Sequence, residues 1–218
     1  MLISTMLIVV AALVANSNVA WFVAGIAVAA FLPTIRDSFV TNEYRRLTDA
    51  ALAEEFTAAE LRRLRHDGWK RVDRVEFHDH DVDHVIAGPG GVFVIETKHT
   101  NFSWPIVDNR FGNEWANDGV SQARRNADKI RALLSQKLRT SFDVQPILMV
   151  WGDGRPKLDT PTTVDHGVVV VTGDLLRRHL SAQPAVLTRD DVDRIAHQLH
   201  QFVVGKEALD RTRRLASA

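Results

Sequence analysis

The chain has 218 residues, with 27 Lys and Arg against 27 Asp and Glu, so its formal charge is zero. That length suits one ordinary domain plus an appendage, and the charge balance excludes a generically basic nucleic-acid binder, so any polyanion must be attracted by a local patch. The lack of cysteine excludes disulfides and thiolate metal sites.

The appendage comes first. Residues 1–33 contain no Asp, Glu, Lys or Arg, and Asn16-Ser17-Asn18 divides them into two apolar halves. A full membrane span takes roughly 20 apolar residues. Each half falls slightly short and the whole exceeds one span. The pattern predicts a membrane anchor over residues 1–37, a hairpin of two short helices, with a single tilted span as the alternative. A cleaved signal peptide fits worse, because the basic n-region is missing. Arg36, Arg45 and Arg46 follow the apolar block, which puts the C-terminal part on the cytoplasmic side.

Residues 47–66 carry Leu47, Ala51, Leu52, Phe56, Leu61 and Leu64 among many charges, an amphipathic helix ended by His66-Asp67-Gly68. Residues 69–77 alternate as a strand. The run His78-Asp79-His80-Asp81 alternates imidazole and carboxylate, but such residues in a polar loop usually solvate rather than converge on a metal. Asp83, with His84 as a weaker candidate, belongs to a site.

Asp83-His84-Val85-Ile86-Ala87 and Val92-Phe93-Val94-Ile95-Glu96-Thr97-Lys98 flank Gly88-Pro89-Gly90-Gly91 and read as a β-hairpin. A turn symmetric about Pro89-Gly90 pairs Ala87 with Val92, Val85 with Val94 and Asp83 with Glu96. Like charges opposite one another destabilise a hairpin. A divalent cation between them removes the penalty, and Mg²⁺ takes such oxygen ligands together with water and phosphate oxygens. Lys98, two residues on, then shares the face and is placed to steady a water or a developing phosphate charge. The alternative is a solvated Glu–Lys pair at a frayed hairpin end. Val92–Ile95, apolar on both faces, argues for a central buried strand and so for a site.

These residues resemble the nuclease-related domain (NERD) family, a branch of the PD-(D/E)xK nuclease superfamily. The likeness rests on Asp83-His84, the Gly-Pro-Gly-Gly turn and Ile95-Glu96-Thr97-Lys98, with Val82 where the superfamily has proline, and it extends over residues 48 to 180. It implies a restriction-endonuclease-like α/β fold, with a central mixed sheet flanked by helices. It further implies Asp83 and Glu96 as metal-binding acids, with the Thr97 carbonyl as an added ligand, and Lys98 as the catalytic lysine. The cofactor implied is Mg²⁺ or Mn²⁺. Glu54-Glu55 falls where the family shows a glutamate near the metal, and Glu55 is the candidate. Gln122 matches a glutamine beside the family's active site, with Arg125 and Lys129 behind it as phosphate contacts.

Asn101–Asp118 is irregular and aromatic-rich. Gln122 opens a helix capped by Asp118 or Ser121, with Ala123, Ala127, Ile130, Leu134 and Leu138 as its buried stripe. Its other faces are strongly basic. Val144–Trp151 reads as a strand, Val168–Thr172 as another, and Asp174 caps a helix over 175–180. Thr188-Arg189-Asp190-Asp191 forms a capping box for a helix through Val203. The basic stretch 206–218 reads as a loose tail able to touch anionic lipid or nucleic acid.

The domain division expected is therefore 1–37, 38–205 and 206–218. The function expected is a membrane-tethered, metal-dependent nuclease acting on DNA. The alternatives are a non-catalytic nucleic-acid-binding or scaffolding module on the same fold, and a membrane protein whose anchor assembles partners.

Overall fold

A computed structural model describes residue 45 and residues 47–216, apart from residue 79. The expected membrane anchor, residues 1–37, lies outside the described residues. Among those described, no helix is long and apolar enough to cross a membrane. The chain divides into units 1–49 and 50–218, and the sheet with the helices packed on it lies in the second.

Helix α1 runs through residues 47–62 and tightens into a 3-10 turn, Arg63–Asp67. Gly68 ends it at φ 83°, a left-handed conformation that glycine adopts without steric cost. The strands are β1 Lys70–Glu76, β2 Asp81–Gly88, β3 Gly91–His99, β4 Ile106–Val107, β5 Arg110–Phe111, β6 Val144–Trp151, β7 Thr162–Val164 and β8 Val168–Val171. Three further helices are α2 Glu114–Leu138, α3 Leu175–Ser181 and α4 Arg189–Ala216.

Six strands form one mixed sheet in the order β1-β2-β3-β6-β8-β7, and β4-β5 is a separate small hairpin. The central pairs β3/β6 and β6/β8 are parallel, while β1/β2, β2/β3 and β7/β8 are antiparallel. Parallel neighbours need a crossover, and α2 supplies it between β3 and β6. The expectation of a mixed sheet flanked by helices, with Val92–Ile95 on a central strand, is met: all four residues are buried.

Each face of the sheet carries its own core. Val72, Val85 and Val94 pack with Ile130 and Leu134 of α2 and with Ile195 and Leu199 of α4. Ile86, Phe93, Ile95 and Met149 pack on the other face with Leu61, Leu64 and, from α3, Leu176 and Leu180. A third cluster, with Trp104, Phe111, Val120, Leu148 and Val170, lies under the start of α2.

Strand alternation breaks once. Arg74 takes a left-handed φ of 50°, and the β1/β2 ladder skips from Asp73↔His84 to Val75↔Val82. A side chain at such a φ is rare in a strand. Its effect is that Val72 and Val75, and opposite them Val85 and Val82, all enter the same core although each pair is three residues apart. Asp83 sits in the gap.

Several element boundaries differ from expectation. Helix α2 begins at Glu114 rather than Gln122, with Asn113 accepting a hydrogen bond from the Ala116 amide at 2.8 Å. Asp118 and Ser121 are therefore helix interior. Asn113 ends the aromatic-rich stretch, and the good helix formers around Asn117-Asp118-Gly119 outweigh that local Asn-Asp-Gly turn signal. Strand β7 was not expected. The stretch expected as a tail is helical, α4 continuing to Ala216.

At the β2–β3 turn, Gly88 lies flat beneath Trp69, where an added Cβ would meet the indole Cδ2 at 2.1 Å. Gly88→Ala is expected to destabilise the domain by about 1–3 kcal/mol, the usual cost of overpacking. An unchanged urea midpoint would contradict this packing.

Candidate active site

The site is assembled at the C-terminal end of β3. Residues 84–88 of β2 pair with residues 91–95 of β3 in the register expected from a symmetric turn, Val85↔Val94 and Ala87↔Val92 among them. The ladder ends at His84↔Ile95, one step before Asp83 and Glu96. There the Thr97 amide donates to Asp83 Oδ2 at 2.7 Å. Freed from the β1 ladder by the kink opposite it, Asp83 thus leans on the main chain of β3.

Glu96 is 1% exposed, so its carboxylate must be satisfied within the protein. Lys98 Nζ donates to its Oε1 at 2.7 Å and Asn126 Nδ2 to its Oε2 at 2.9 Å. Lys98 Nζ also donates to Gln122 Oε1 at 2.9 Å. Gln122 and Asn126 are one turn apart on α2, so a single helix face supplies both groups. Gly119, one turn earlier on the same stripe, gives Lys98 its path: a Cβ there would already touch Lys98 Cγ at 3.5 Å and Leu148 Cδ1 at 3.4 Å.

Electrostatics sets this cluster apart from a surface ion pair. Burial, then the neighbouring charge of Glu96, then that of Glu54, raise the Asp83 pKa to about 7 against the hydrogen bond from Thr97. Burial also raises Glu96, opposed by Lys98 and assisted by Glu54. Perturbed carboxylates of this kind concentrate at functional sites.

On α1 it is the half-buried Glu54 whose charge acts on Asp83 and Glu96, and the expected Glu55 is exposed. Helix geometry explains the choice. Ala53, Thr57 and Leu61 form the buried stripe of α1, and Glu54 lies three residues before Thr57, on its side of the helix. Thr57 in turn fixes α1 to the sheet: Thr97 Oγ1 donates to its Oγ1 at 3.2 Å, and Trp151 Nε1 does so at 2.8 Å.

The other candidates lie apart from this cluster. His84 is buried, and its Nδ1 lies 2.7 Å from Asp73 Oδ1. Burial alone would raise the Asp73 carboxyl, but His84 and Arg71 hold it below the usual carboxylate range. Arg125 is exposed on α2. Lys129, two turns beyond Gln122, turns to the β1–β2 connection, with Nζ 3.0 Å from His80 Nδ1 and 5.6 Å from the Phe77 ring centroid. Arg124 and Arg131, on the same basic helix, both pair with Asp128.

Asn126 was missed by sequence reasoning, although an asparagine between Ala123 and Ala127 on a buried stripe is an available signal. It is fully buried, and its Oδ1 has no hydrogen-bond partner within the protein. Among the described residues no three His, Asp or Glu side chains converge as a ready metal cage. The donor set still fits a hard divalent ion, which commonly takes one or two carboxylates and keeps several waters. Asp83 and Glu96 are the residues that would hold it, because a cation there relieves the repulsion and burial that push both towards neutrality.

The sign of the Asp83 shift fixes a pH dependence. Its folded pKa of about 7 lies above the ordinary 3.8, so the folded state favours the protonated acid, and this contribution is full below the lower value and lost as pH rises through the higher one. In EDTA, thermal stability of the wild-type chain should fall relative to Asp83→Asn across that window. Parallel melting-temperature profiles for the two proteins would refute the assignment.

No curated protein and no solved structure gives a significant match to the chain. Residues 50–151, which run from α1 to the end of β6 and contain every side chain of the acidic cluster, match the family model of the nuclease-related domain, NERD.

Proposed function

We propose that this domain is a nuclease that hydrolyses phosphodiester bonds of nucleic acid, DNA in the first instance, with Mg²⁺ or Mn²⁺ held by Asp83, Glu96 and the Thr97 carbonyl. The observation that carries the reading is a buried carboxylate joined to a lysine, with a second acid alongside, inside a segment that matches a nuclease-related domain. A bound divalent ion would polarise a phosphoryl oxygen and lower the pKa of a water.

The chain's own groups do the positioning. Lys98 Nζ is held between Glu96 Oε1 and Gln122 Oε1, so two of its three donor directions are fixed and the third is left for a water or a phosphate oxygen. Its charge opposes the negative charge that builds on the phosphate as the water oxygen attacks phosphorus and the leaving oxygen departs. Asn126 keeps Glu96 from swinging towards Lys98 alone. Arg125, exposed one turn beyond Gln122, would meet a phosphate away from the scissile one, a contact that adds affinity without sequence preference.

The exposed aromatics Phe56, Phe102 and Trp115 favour substrates with unpaired bases. They belong to α1, the loop after β3 and the first turn of α2, and are 51%, 73% and 62% exposed, Phe56 lying beside the Trp151 ring. Bases stack on such rings irrespective of sequence. Tethering by residues 1–37, with the domain on the cytoplasmic face, rests on the charge-free run 1–33 and the arginines behind it.

The test is incubation of the full chain in detergent with plasmid and single-stranded DNA, with Mg²⁺, Mn²⁺ or EDTA. Metal-dependent degradation is expected, with Lys98→Ala at least about a hundredfold slower while its circular dichroism at the assay temperature still shows a folded domain. Retention of DNA on a gel without cleavage under any metal would instead support the non-catalytic binding module. Cleavage by Lys98→Ala at the wild-type rate would remove the lysine from the mechanism. For the tether, the chain should sediment with membranes, and its C-terminal domain should resist protease added outside sealed cells.

A further inference from the structure

One concavity lies away from the acidic site. It lies at the other end of β3, between the 3-10 turn after α1, the start of β1, Pro89 of the β2–β3 turn and the first turn of α4. From Gly91, where β3 leaves the turn, to Glu96 is five strand steps, roughly 17 Å at about 3.3 Å per residue. The two sites are separate.

This cleft has a volume of about 860 Å³, within the range of small-ligand sites. Its floor is apolar, with Leu61, Trp69 and Val192 all buried. Its rim is cationic: five Lys and Arg side chains border it against one carboxylate, Asp193. In a chain whose charges balance to zero, that is a marked local excess.

Pairing leaves much of the excess available. Lys70 Nζ takes Asp193 Oδ1 at 2.5 Å, and Arg71 Nε takes Asp73 Oδ1 at 2.9 Å. Arg62, Arg65 and Arg189 are exposed and, among the described residues, make no ion pair. They come from two elements far apart in sequence, α1 with its 3-10 turn and α4, and the fold sets them around one cavity. Guanidinium groups match phosphate bidentately, and three of them around a concave apolar floor suit a compact phosphorylated molecule better than an extended polymer.

We propose that this cleft binds a phosphate-bearing small molecule of nucleotide size, its phosphates on Arg62, Arg65 and Arg189 and its organic part over Leu61, Trp69 and Val192. The site does not depend on the nuclease reading, because it shares no residue with the acidic cluster.

The experiment is calorimetric titration of the full chain in detergent with EDTA, using ATP and pyrophosphate as probes. Saturable binding of about one ligand per chain is expected, weakening as salt rises. Arg62→Ala/Arg65→Ala/Arg189→Ala should weaken it at least about tenfold, whereas Asp83→Asn should leave it unchanged. ATP binding more tightly than pyrophosphate supports use of the apolar floor, and tight pyrophosphate alone supports a free phosphate compound as the ligand. The proposal is overturned if neither probe saturates below about 1 mM, if the triple variant binds as wild type, or if the arginines act only on retention by anionic vesicles. Should the triple variant melt early, the three single variants are titrated instead, and unchanged affinity in all three overturns it equally.

Discussion

A carboxylate with almost no solvent access, Glu96, stands beside a second raised acid, Asp83, and the local architecture follows from keeping them there. An unpaired buried charge costs several kcal/mol, so each must find donors inside the protein. Glu96 finds Lys98 and Asn126, and Asp83 finds the Thr97 amide. Those donors come from β3 itself and from one face of α2, which fixes where α2 must lie over the sheet. The acids remain raised because burial, joined at Asp83 by the charge of Glu96, outweighs the donors they find.

The backbone contributes as much as the side chains. A regular β1/β2 ladder would carry Arg74 opposite Asp83, and the left-handed turn at Arg74 removes that pair. Strain of this kind persists only where surrounding packing over-determines it. Here Val72, Val75, Val82 and Val85, all in one core, do so. The cluster also stands at the carboxyl end of two central parallel strands, the usual location of ligand sites in open α/β sheets.

Zero net charge conceals a division of labour. Acidic side chains gather at the end of β3 near residue 96, and cationic ones around the cleft near Pro89. The basic face of α2 is partly neutralised within itself, through Asp128 with Arg124 and Arg131. A whole-chain charge therefore predicts little about either site, since each is a local field set by which residues the fold brings together.

Sequence alone determined the hairpin, its register from His84↔Ile95 to Gly88↔Gly91 and the shared face of Glu96 and Lys98, because these depend on local turn chemistry and on the two-residue period of a strand. The matched segment and the mixed α/β architecture were legible for similar reasons: apolar runs, caps and spacing are short-range signals. Tertiary structure decided the rest. Glu54 replaced Glu55 because the rotation of α1 is set by Thr57 meeting Thr97 and Trp151, contacts 40 and 94 residues away along the chain. Asn126 joined the site, and Lys129 turned towards His80, because the placement of α2 is fixed by long-range packing. The cationic cleft unites residues 62 to 189, a closure that a linear pattern does not encode.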